Sequence, residues 1–217
     1  MTVGTNISIR QAEAADASGV AQLMIDNYKI GYRGQLPDDY IESPKLYYKL
    51  MEQRHSYYTM QGDARPVCLL AHMMNLRDVT TDKPVLAAMC EAGPLREYPG
   101  QELIESYNAS ETLEVWTNYV STKAQGQGIG RELFVETLAA AYERFPSCRG
   151  TIVVLTFVGN TAGRRFYEKF GGRLAGIIPN YTIDGKHYRV ACYEWHNLGY
   201  WLRQWKEKSN TRNVCLE

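Results

Sequence analysis

The stretch QGQGIGR, residues 125–131, follows a predicted strand over 113–120 and opens a predicted helix over 128–145. Its glycines permit tight backbone turns and let a ligand come close to the main chain, because no Cβ stands in the way. The first amides of a helix have no intrahelical partner, and they lie at the positive end of the helix dipole. The stretch therefore indicates a site for a phosphate or pyrophosphate, with a plain glycine-rich turn as the alternative.

Two other phosphate-binding patterns fit this stretch poorly. A dinucleotide fingerprint needs a glycine where Arg131 stands, and it needs an acidic residue about 20 positions further on. The next predicted strand, 151–158, ends without one. A P-loop needs Gly-Lys-Ser/Thr, which the chain lacks. Both nucleotide-binding interpretations are therefore weakened.

The pattern outward from this stretch predicts one α/β domain with a mixed sheet. Helical spacing predicts helices that begin near Asp16, at Ser43-Pro44, at Gly128 and at Thr161. The segment 93–110 is rich in Pro, Gly and Glu and is predicted to be an exposed loop. Asp184-Gly185 is typical of a two-residue hairpin turn. The predicted strands cover 7–11, 67–73, 85–90, 113–120, 151–158, 173–181 and 187–195.

Composition narrows the class of protein. The chain has 217 residues, with 24 Lys+Arg against 24 Asp+Glu, and this zero net charge argues against a nucleic-acid binder and against a basic membrane anchor. No apolar run is long enough to cross a bilayer, and the first ten residues do not resemble a signal peptide. Five scattered cysteines favour reduced thiols, so we expect a cytoplasmic protein. The four histidines lack metal-ligand spacing, so we expect no metal.

Two blocks of sequence resemble the GNAT acetyltransferase family. Gln125, Gly128 and Gly130 match its Gln/Arg-x-x-Gly-x-Gly/Ala motif, and residues 160–171, NTAGRRFYEKFG, match its Asn-(x)5-Phe-Tyr-x-Lys-x-Gly signature. One predicted helix and one predicted strand separate the blocks, as in the family. Residues 32–37, YRGQLP, also resemble a segment of some bacterial members. The resemblance covers 7–195 and implies a GNAT-like core with a mostly antiparallel central sheet and helices on both faces, within a single domain over 1–217.

The resemblance also implies where acetyl-CoA, the co-substrate, binds. The amides of the glycine-rich stretch would hold its pyrophosphate, and the Val120 backbone would pair with its pantetheine arm. Asn160 would contact the same arm. Gly163 departs from the family, where alanine is usual, and the sequence offers no reason for it. The residues assigned to the pyrophosphate are Gln125, Gly126, Gln127, Gly128, Ile129, Gly130 and Arg131.

Acetyl transfer to an amine requires a neutral amine, and a lysine-like amine with a pKa of ~10.4 is neutral in only about one molecule in 2,500 at pH ~7. Glu114, on the predicted strand 113–120, is the candidate general base, and bound water is the alternative. If Glu114 has no catalytic role, it is a charge on the surface or at a strand edge. Tyr167 is the candidate acid that protonates the leaving thiolate, with core packing as the alternative.

The acceptor is predicted to be a small-molecule or amino-acid amine, ahead of a protein amine. The candidate residues for its pocket are Tyr28, Tyr32, Arg33 and Trp116, together with the loop 93–110. A non-catalytic acyl-CoA-binding or regulatory module on the same fold is the alternative function. Residues 196–217 are predicted to form an amphipathic C-terminal helix and tail, which docks on the chain's own core or, as the second alternative, forms a homodimer contact.

Overall fold

Seven strands form one sheet in the order β1-β2-β3-β4-β5-β7-β6 in this computed structural model, which describes residues 6–62, 65–78 and 82–205. The strands are β1 Ile7–Gln11, β2 Val67–Arg77, β3 Pro84–Pro94, β4 Thr112–Val120, β5 Thr151–Phe157, β6 Arg173–Ile183 and β7 Lys186–His196. The helices are α1 Ala17–Gly31, α2 Asp38–Ile41, α3 Pro44–Thr59, α4 Glu102–Glu105, α5 Ile129–Arg144 and α6 Thr161–Lys169.

Strand pairing confirms the predicted mixed, mostly antiparallel sheet. The pairs β1–β2, β2–β3, β5–β7 and β6–β7 run antiparallel, whereas β4 and β5 run parallel. The parallel ladder joins Thr112–Val115 to Thr151–Val154. Parallel neighbours require a crossover connection, and α5 supplies it between β4 and β5.

The chain divides into two compact units. The first unit comprises 1–92 and 116–137, and the second comprises 93–115 and 138–217. In the first unit, α1 and α3 pack their apolar faces against Leu70 of β2 and Met89 of β3. In the second unit, Val153 and Val190 belong to a buried cluster that includes Ile104. Burial of these apolar faces removes hydrocarbon from water and is the main stabilisation of each unit.

Local sequence signals place several element ends where they were predicted. The Ser43 hydroxyl accepts a hydrogen bond from the Lys45 amide (3.2 Å), and Pro44 is the first residue of α3. Asp184 and Gly185 both have positive φ, at 46° and 75°, as a tight hairpin turn with matching twist requires. These ends depend on neighbours in the chain, which explains why periodicity and turn residues locate them.

The structure corrects the prediction for 93–110. This segment was predicted to be an exposed loop, but Gly93 and Pro94 complete β3, and the segment contains α4. Ile104 of α4 is 2% exposed because it packs in the core of the second unit. The strands β2, β3 and β6 are also longer than predicted, because sheet pairing extends beyond the apolar runs that revealed them.

The described part of the C-terminal segment packs on the second unit. Residues 198–205 are helical, and Leu198 and Leu202 are buried. The indole N–H of Trp201 donates to the Phe170 carbonyl (3.1 Å), and the Trp205 ring stacks on Phe170 at 4.9 Å. This part therefore docks on the chain's own core, while 206–217 lie outside the described residues. In the described ranges, every helix is too short or too polar to span a bilayer.

Candidate active site

The glycine-rich stretch forms a tight turn into α5, as predicted. Gly126 and Gly128 have φ of 77° and 83°, a region that side chains rarely adopt. The first helical hydrogen bonds run from the Arg131 and Glu132 amides to the Gly128 carbonyl, at 3.0 and 3.1 Å. The amides of Ile129 and Gly130 precede these bonds at the positive end of the helix dipole, so this turn can bind an anion.

Gly130 brings α5 close to β4. A Cβ built on Gly130 would lie 2.6 Å from Cγ2 of Val120, a distance that real side chains do not tolerate. The Val120 carbonyl accepts a hydrogen bond from Nε2 of Gln125 (3.1 Å). The Val120 side chain thus lies close to the start of α5, and the Val120 carbonyl is hydrogen-bonded to the turn, both inside the first unit.

Asn160 is the N-cap of α6. Its Oδ1 accepts from the Gly163 amide (3.0 Å), and its Nδ2 donates to Oγ1 of Thr156 (3.0 Å). A Cβ on Gly163 would lie 2.6 Å from that Nδ2. The close approach of the Asn160 amide explains the glycine at position 163, for which the sequence alone provided no reason.

Tyr167 lies on α6 and is 6% exposed. Its ring contacts Tyr193 at 6.0 Å and meets Trp195 edge-on at 6.1 Å. The Tyr193 hydroxyl donates to Glu168 (2.5 Å) and accepts from Nε of Arg164 (3.0 Å). Tyr167 is thus packed among aromatic rings, an arrangement that suits both a positioned acid and a packed core residue.

Glu114 is on β4 and is 1% exposed, with both carboxylate oxygens engaged. Oε2 accepts from the Arg96 amide (3.1 Å) and from Nε of Arg96 (3.0 Å). Oε1 accepts from Nη2 of Arg96 (2.5 Å) and from the Tyr98 hydroxyl. Burial, and then the charge of Glu114, raises the pKa of that hydroxyl, so it remains a donor. Four donors therefore occupy the acceptor positions of the two oxygens of this carboxylate.

The structure brings Tyr28 and Tyr32 together but places Arg33 and Trp116 elsewhere. Tyr28 and Tyr32 meet at 4.9 Å between ring centroids, and the Tyr32 hydroxyl lies 3.1 Å from that of Tyr119. Burial raises the pKa of all three hydroxyls, which keeps them protonated. Arg33 turns away to the surface, where its Nη2 pairs with Glu42 at 2.5 Å. Trp116 packs on Tyr57 of α3 at 5.2 Å.

A second buried ion pair lies in the first unit, and sequence reasoning missed it. Arg54 and Glu91 are 3% and 1% exposed, and Nη1 of Arg54 lies 3.1 Å from Oε2 of Glu91. Glu91 also accepts from the hydroxyls of Tyr58 (3.1 Å) and Thr117 (2.8 Å). Two signals could have revealed the pair: Arg54 continues the buried stripe of α3 four residues after Leu50, and Glu91 interrupts an apolar strand.

The thiols and the possible metal ligands add no chemistry to this site. Four cysteines are free and buried, and Cys215 lies outside the described residues. Burial raises the pKa of Cys90 and of Cys192 to about 12, so both are protonated at neutral pH. Across the described ranges, His, Cys, Asp and Glu form no group of three that could hold a metal ion.

Comparison with known proteins agrees with this fold. The model of the acetyltransferase (GNAT) family matches residues 37–172, which include both sequence blocks described above. No curated protein sequence matches the chain significantly.

Solved structures share the fold at low sequence identity. PaiA N-acetyltransferase from Thermoplasma acidophilum, in complex with coenzyme A, is 17% identical with a TM-score of 0.61, over 88% of this chain and 99% of that one. The Salmonella typhimurium protein YncA, with its cofactor acetyl-CoA, is 16% identical with a TM-score of 0.60, over 88% and 94%. A chimera of spermidine N-acetyltransferase SpeG from Vibrio cholerae and hSSAT is 16% identical with a TM-score of 0.59, over 90% and 98%.

Proposed function

Because the chain belongs to the acetyltransferase (GNAT) family, we propose that it transfers an acetyl group from acetyl-CoA to a primary amine, directly and within a ternary complex. The amine nitrogen attacks the thioester carbonyl carbon, the C–N bond forms, and the C–S bond breaks. The amine loses one proton and the thiolate gains one, so the products are an N-acetyl amine and coenzyme A. The turn at 125–131, with its positive-φ glycines and helix-start amides, is the observation that carries this proposal.

Each predicted binding residue has a proposed role. The amides of the turn 125–131 bind the pyrophosphate. The Val120 N–H pairs with the pantetheine arm or stabilises the oxyanion of the tetrahedral intermediate. Asn160 fixes the start of α6 through its cap, and this places Tyr167 for proton donation to the thiolate. With Glu114 occupied by Arg96 and Tyr98, bound water is the favoured carrier of the amine proton, and Glu114 holds the segment around Arg96 in place.

The acceptor is proposed to be a small-molecule amine. The cluster of Tyr28, Tyr32 and Tyr119 offers protonated hydroxyls and aromatic faces, which attract an ammonium group. A structural neighbour that is a chimera of spermidine N-acetyltransferase supports the same class of acceptor. Protein amines are the second class of acceptor.

The test is an amine panel incubated with acetyl-CoA and the purified chain. We expect release of free thiol and a mass gain of about 42 Da on the accepted amine, one acetyl group replacing a proton. The Y167F variant should lower kcat by about 100-fold without changing coenzyme affinity. The Y200F variant is the matched control, since Tyr200 is 59% exposed. Coenzyme binding without thiol release from any amine would instead identify a non-catalytic acyl-CoA-binding module.

A further inference from the structure

Arg54 of α3 and Glu91 of β3 form a buried ion pair that the proposed reaction does not use. Two charges taken out of water lose hydration that their attraction only partly replaces, so apolar side chains of similar volume often stabilise a core equally well. Stability alone is therefore a poor explanation for this pair. Its contacts with β4 indicate a different role, in the geometry of the active site.

The pair contacts two consecutive residues of β4 through separate groups. Oε2 of Glu91 accepts a hydrogen bond from the Thr117 hydroxyl (2.8 Å). The Arg54 guanidinium lies over the Tyr57 ring, 5.2 Å from its centroid, and the same ring packs on Trp116 at 5.2 Å. Glu91 thus contacts Thr117 directly, whereas Arg54 reaches Trp116 through Tyr57. All five residues belong to the first unit.

The environment of β4 changes at Trp116. The ladder with β5 covers Thr112–Val115, and these four residues are buried. From Trp116 to Val120 the strand is only partly buried, so a small molecule can reach the Trp116 ring. The ion pair therefore contacts β4 at the first two residues beyond the ladder with β5.

Trp116 lies on the same strand as one member of the cluster of Tyr28, Tyr32 and Tyr119. Three residues of strand separate Trp116 from Tyr119, a distance of about 10 Å. Tyr57, the neighbour of Trp116, and Tyr119 pack against the same core cluster. Trp116 and the tyrosine cluster can therefore contact different parts of one acceptor. An indole ring offers a large apolar surface that also attracts an ammonium group.

We propose that the Arg54–Glu91 pair positions Trp116 as a wall of the acceptor pocket, an inference that rests on the proposed function. Because both charged groups are buried, they contact neither substrate nor coenzyme and are positioning residues. Without the pair, the Tyr57 ring loses the guanidinium and Thr117 loses its acceptor, so the Trp116 ring changes orientation. The amine then binds more weakly, whereas acetyl-CoA binds as before.

The test separates stability from amine binding. The single variants R54M and E91Q should each lower the melting temperature, because each leaves a buried charge without its counter-charge. R54M/E91Q removes both charges and retains an acceptor for the Tyr58 hydroxyl, so its melting temperature should recover most of the loss. Its KM for the amine with the highest kcat/KM in the panel should nevertheless stay about tenfold above the wild-type value, with KM for acetyl-CoA unchanged.

The matched control is R10M/D16L, which removes another ion pair of the first unit, Arg10–Asp16 (2.7 Å). We expect it to change neither KM, whatever its melting temperature. An amine KM that rises equally in this control would show that any loss of stability has the same effect, and would overturn the inference.

A kinetic double-mutant cycle tests whether the pair acts through Trp116. W116A should itself raise the amine KM about tenfold, and R54M/E91Q should then add less than about twofold in the W116A background. The milder T117V, which keeps both charges, should also raise the amine KM. Recovery of the amine KM together with the melting temperature in R54M/E91Q, independent effects in the cycle, or an unchanged amine KM in T117V would overturn the inference. A wild type that acetylates no amine would refute the proposed function itself.

Discussion

At the scale of single residues, partners decide what a charged group can do. Glu114 was predicted as a base from its position on β4, yet Arg96 and Tyr98 occupy its carboxylate. The ion pair is buried on one side only, with side-chain exposures of 1% for Glu114 and 36% for Arg96. Loss of one partner from a fully buried pair costs about 3–5 kcal/mol, and solvent access to Arg96 reduces that cost here.

Replacement of Glu114 tests its role. We expect E114Q to lower the free energy of unfolding by about 1–3 kcal/mol, because Arg96 loses its counter-charge. The acidic limb of the pH profile of kcat/KM should stay where it is in the wild type, since water carries the proton. The exposed neighbour Glu97 supplies the control E97Q, which should change neither quantity. An acidic limb that disappears in E114Q would restore Glu114 as the base.

Gly130 lies too close to Val120 of β4 to accept a side chain without strain. We expect G130A to weaken coenzyme binding and to lower stability by about 1–3 kcal/mol, because the new methyl group would lie 2.6 Å from Cγ2 of Val120. V120A removes that methyl group, so the double variant should recover much of the loss. G31A, where nothing lies within 4 Å, should be neutral or stabilising. If G130A and G31A behave alike in urea titrations, the close contact is not the cause.

At the scale of elements, α6 depends on a side-chain cap. The Asn160 amide bonds both the first turn of α6 and Thr156 of β5, so it ties the strand end to the helix start. A side-chain oxygen that caps a helix N-terminus typically contributes about 1 kcal/mol to the free energy of unfolding. This tie fixes the start of the helix from which Tyr167 projects about two turns later.

A double-mutant cycle tests the cap. We expect N160A to cost about 1–2 kcal/mol, because the Gly163 amide and the Thr156 hydroxyl lose their partner. G163A should also destabilise the native protein, since its Cβ would lie 2.6 Å from Nδ2 of Asn160. In the N160A background, however, G163A should be neutral or stabilising, because the clash is gone and alanine favours helix. Strict additivity of the two changes in chemical denaturation would contradict this account.

At the scale of the whole molecule, the chain folds as two compact units, each with its own cluster of buried apolar residues. Both units bury groups that titrate only at high pH. Cys90 lies in the first unit and Cys192 in the second, each with a pKa raised to about 12 by burial.

Because these two thiols are buried, we expect the protein to lose stability at alkaline pH. A free thiol has a pKa of ~8.5, so above that pH the unfolded chain releases protons that the folded chain retains. The contribution of the protonated thiols to the free energy of unfolding is complete below pH ~8.5. It then decreases by about 1.4 kcal/mol per pH unit for each thiol, up to the folded-state pKa of about 12. Urea unfolding between pH 8 and pH 11 measures this slope. C90A should reduce the slope by the share of one thiol, and an unchanged slope would show that Cys90 does not contribute.

Much of the fold was readable from the sequence, because it depends on neighbours along the chain. Ser43-Pro44 and Asp184-Gly185 mark ends through their own backbone preferences, and the glycine-rich stretch predicts both the turn and the helix start. The segment 93–110 was misread because the burial of Ile104 depends on Val153 and Val190, which are distant in sequence.

The sequence by itself determined the family, most of the strands and helices, and the glycine-rich turn that opens α5. Only the tertiary structure decided that Arg96 neutralises Glu114 and that Arg54 lies against Glu91. The physical reason is the separation along the chain of the residues that interact. Backbone turns and helix starts are set by a few adjacent residues. The partner of a buried polar group is instead supplied by whichever strand or helix folding brings beside it.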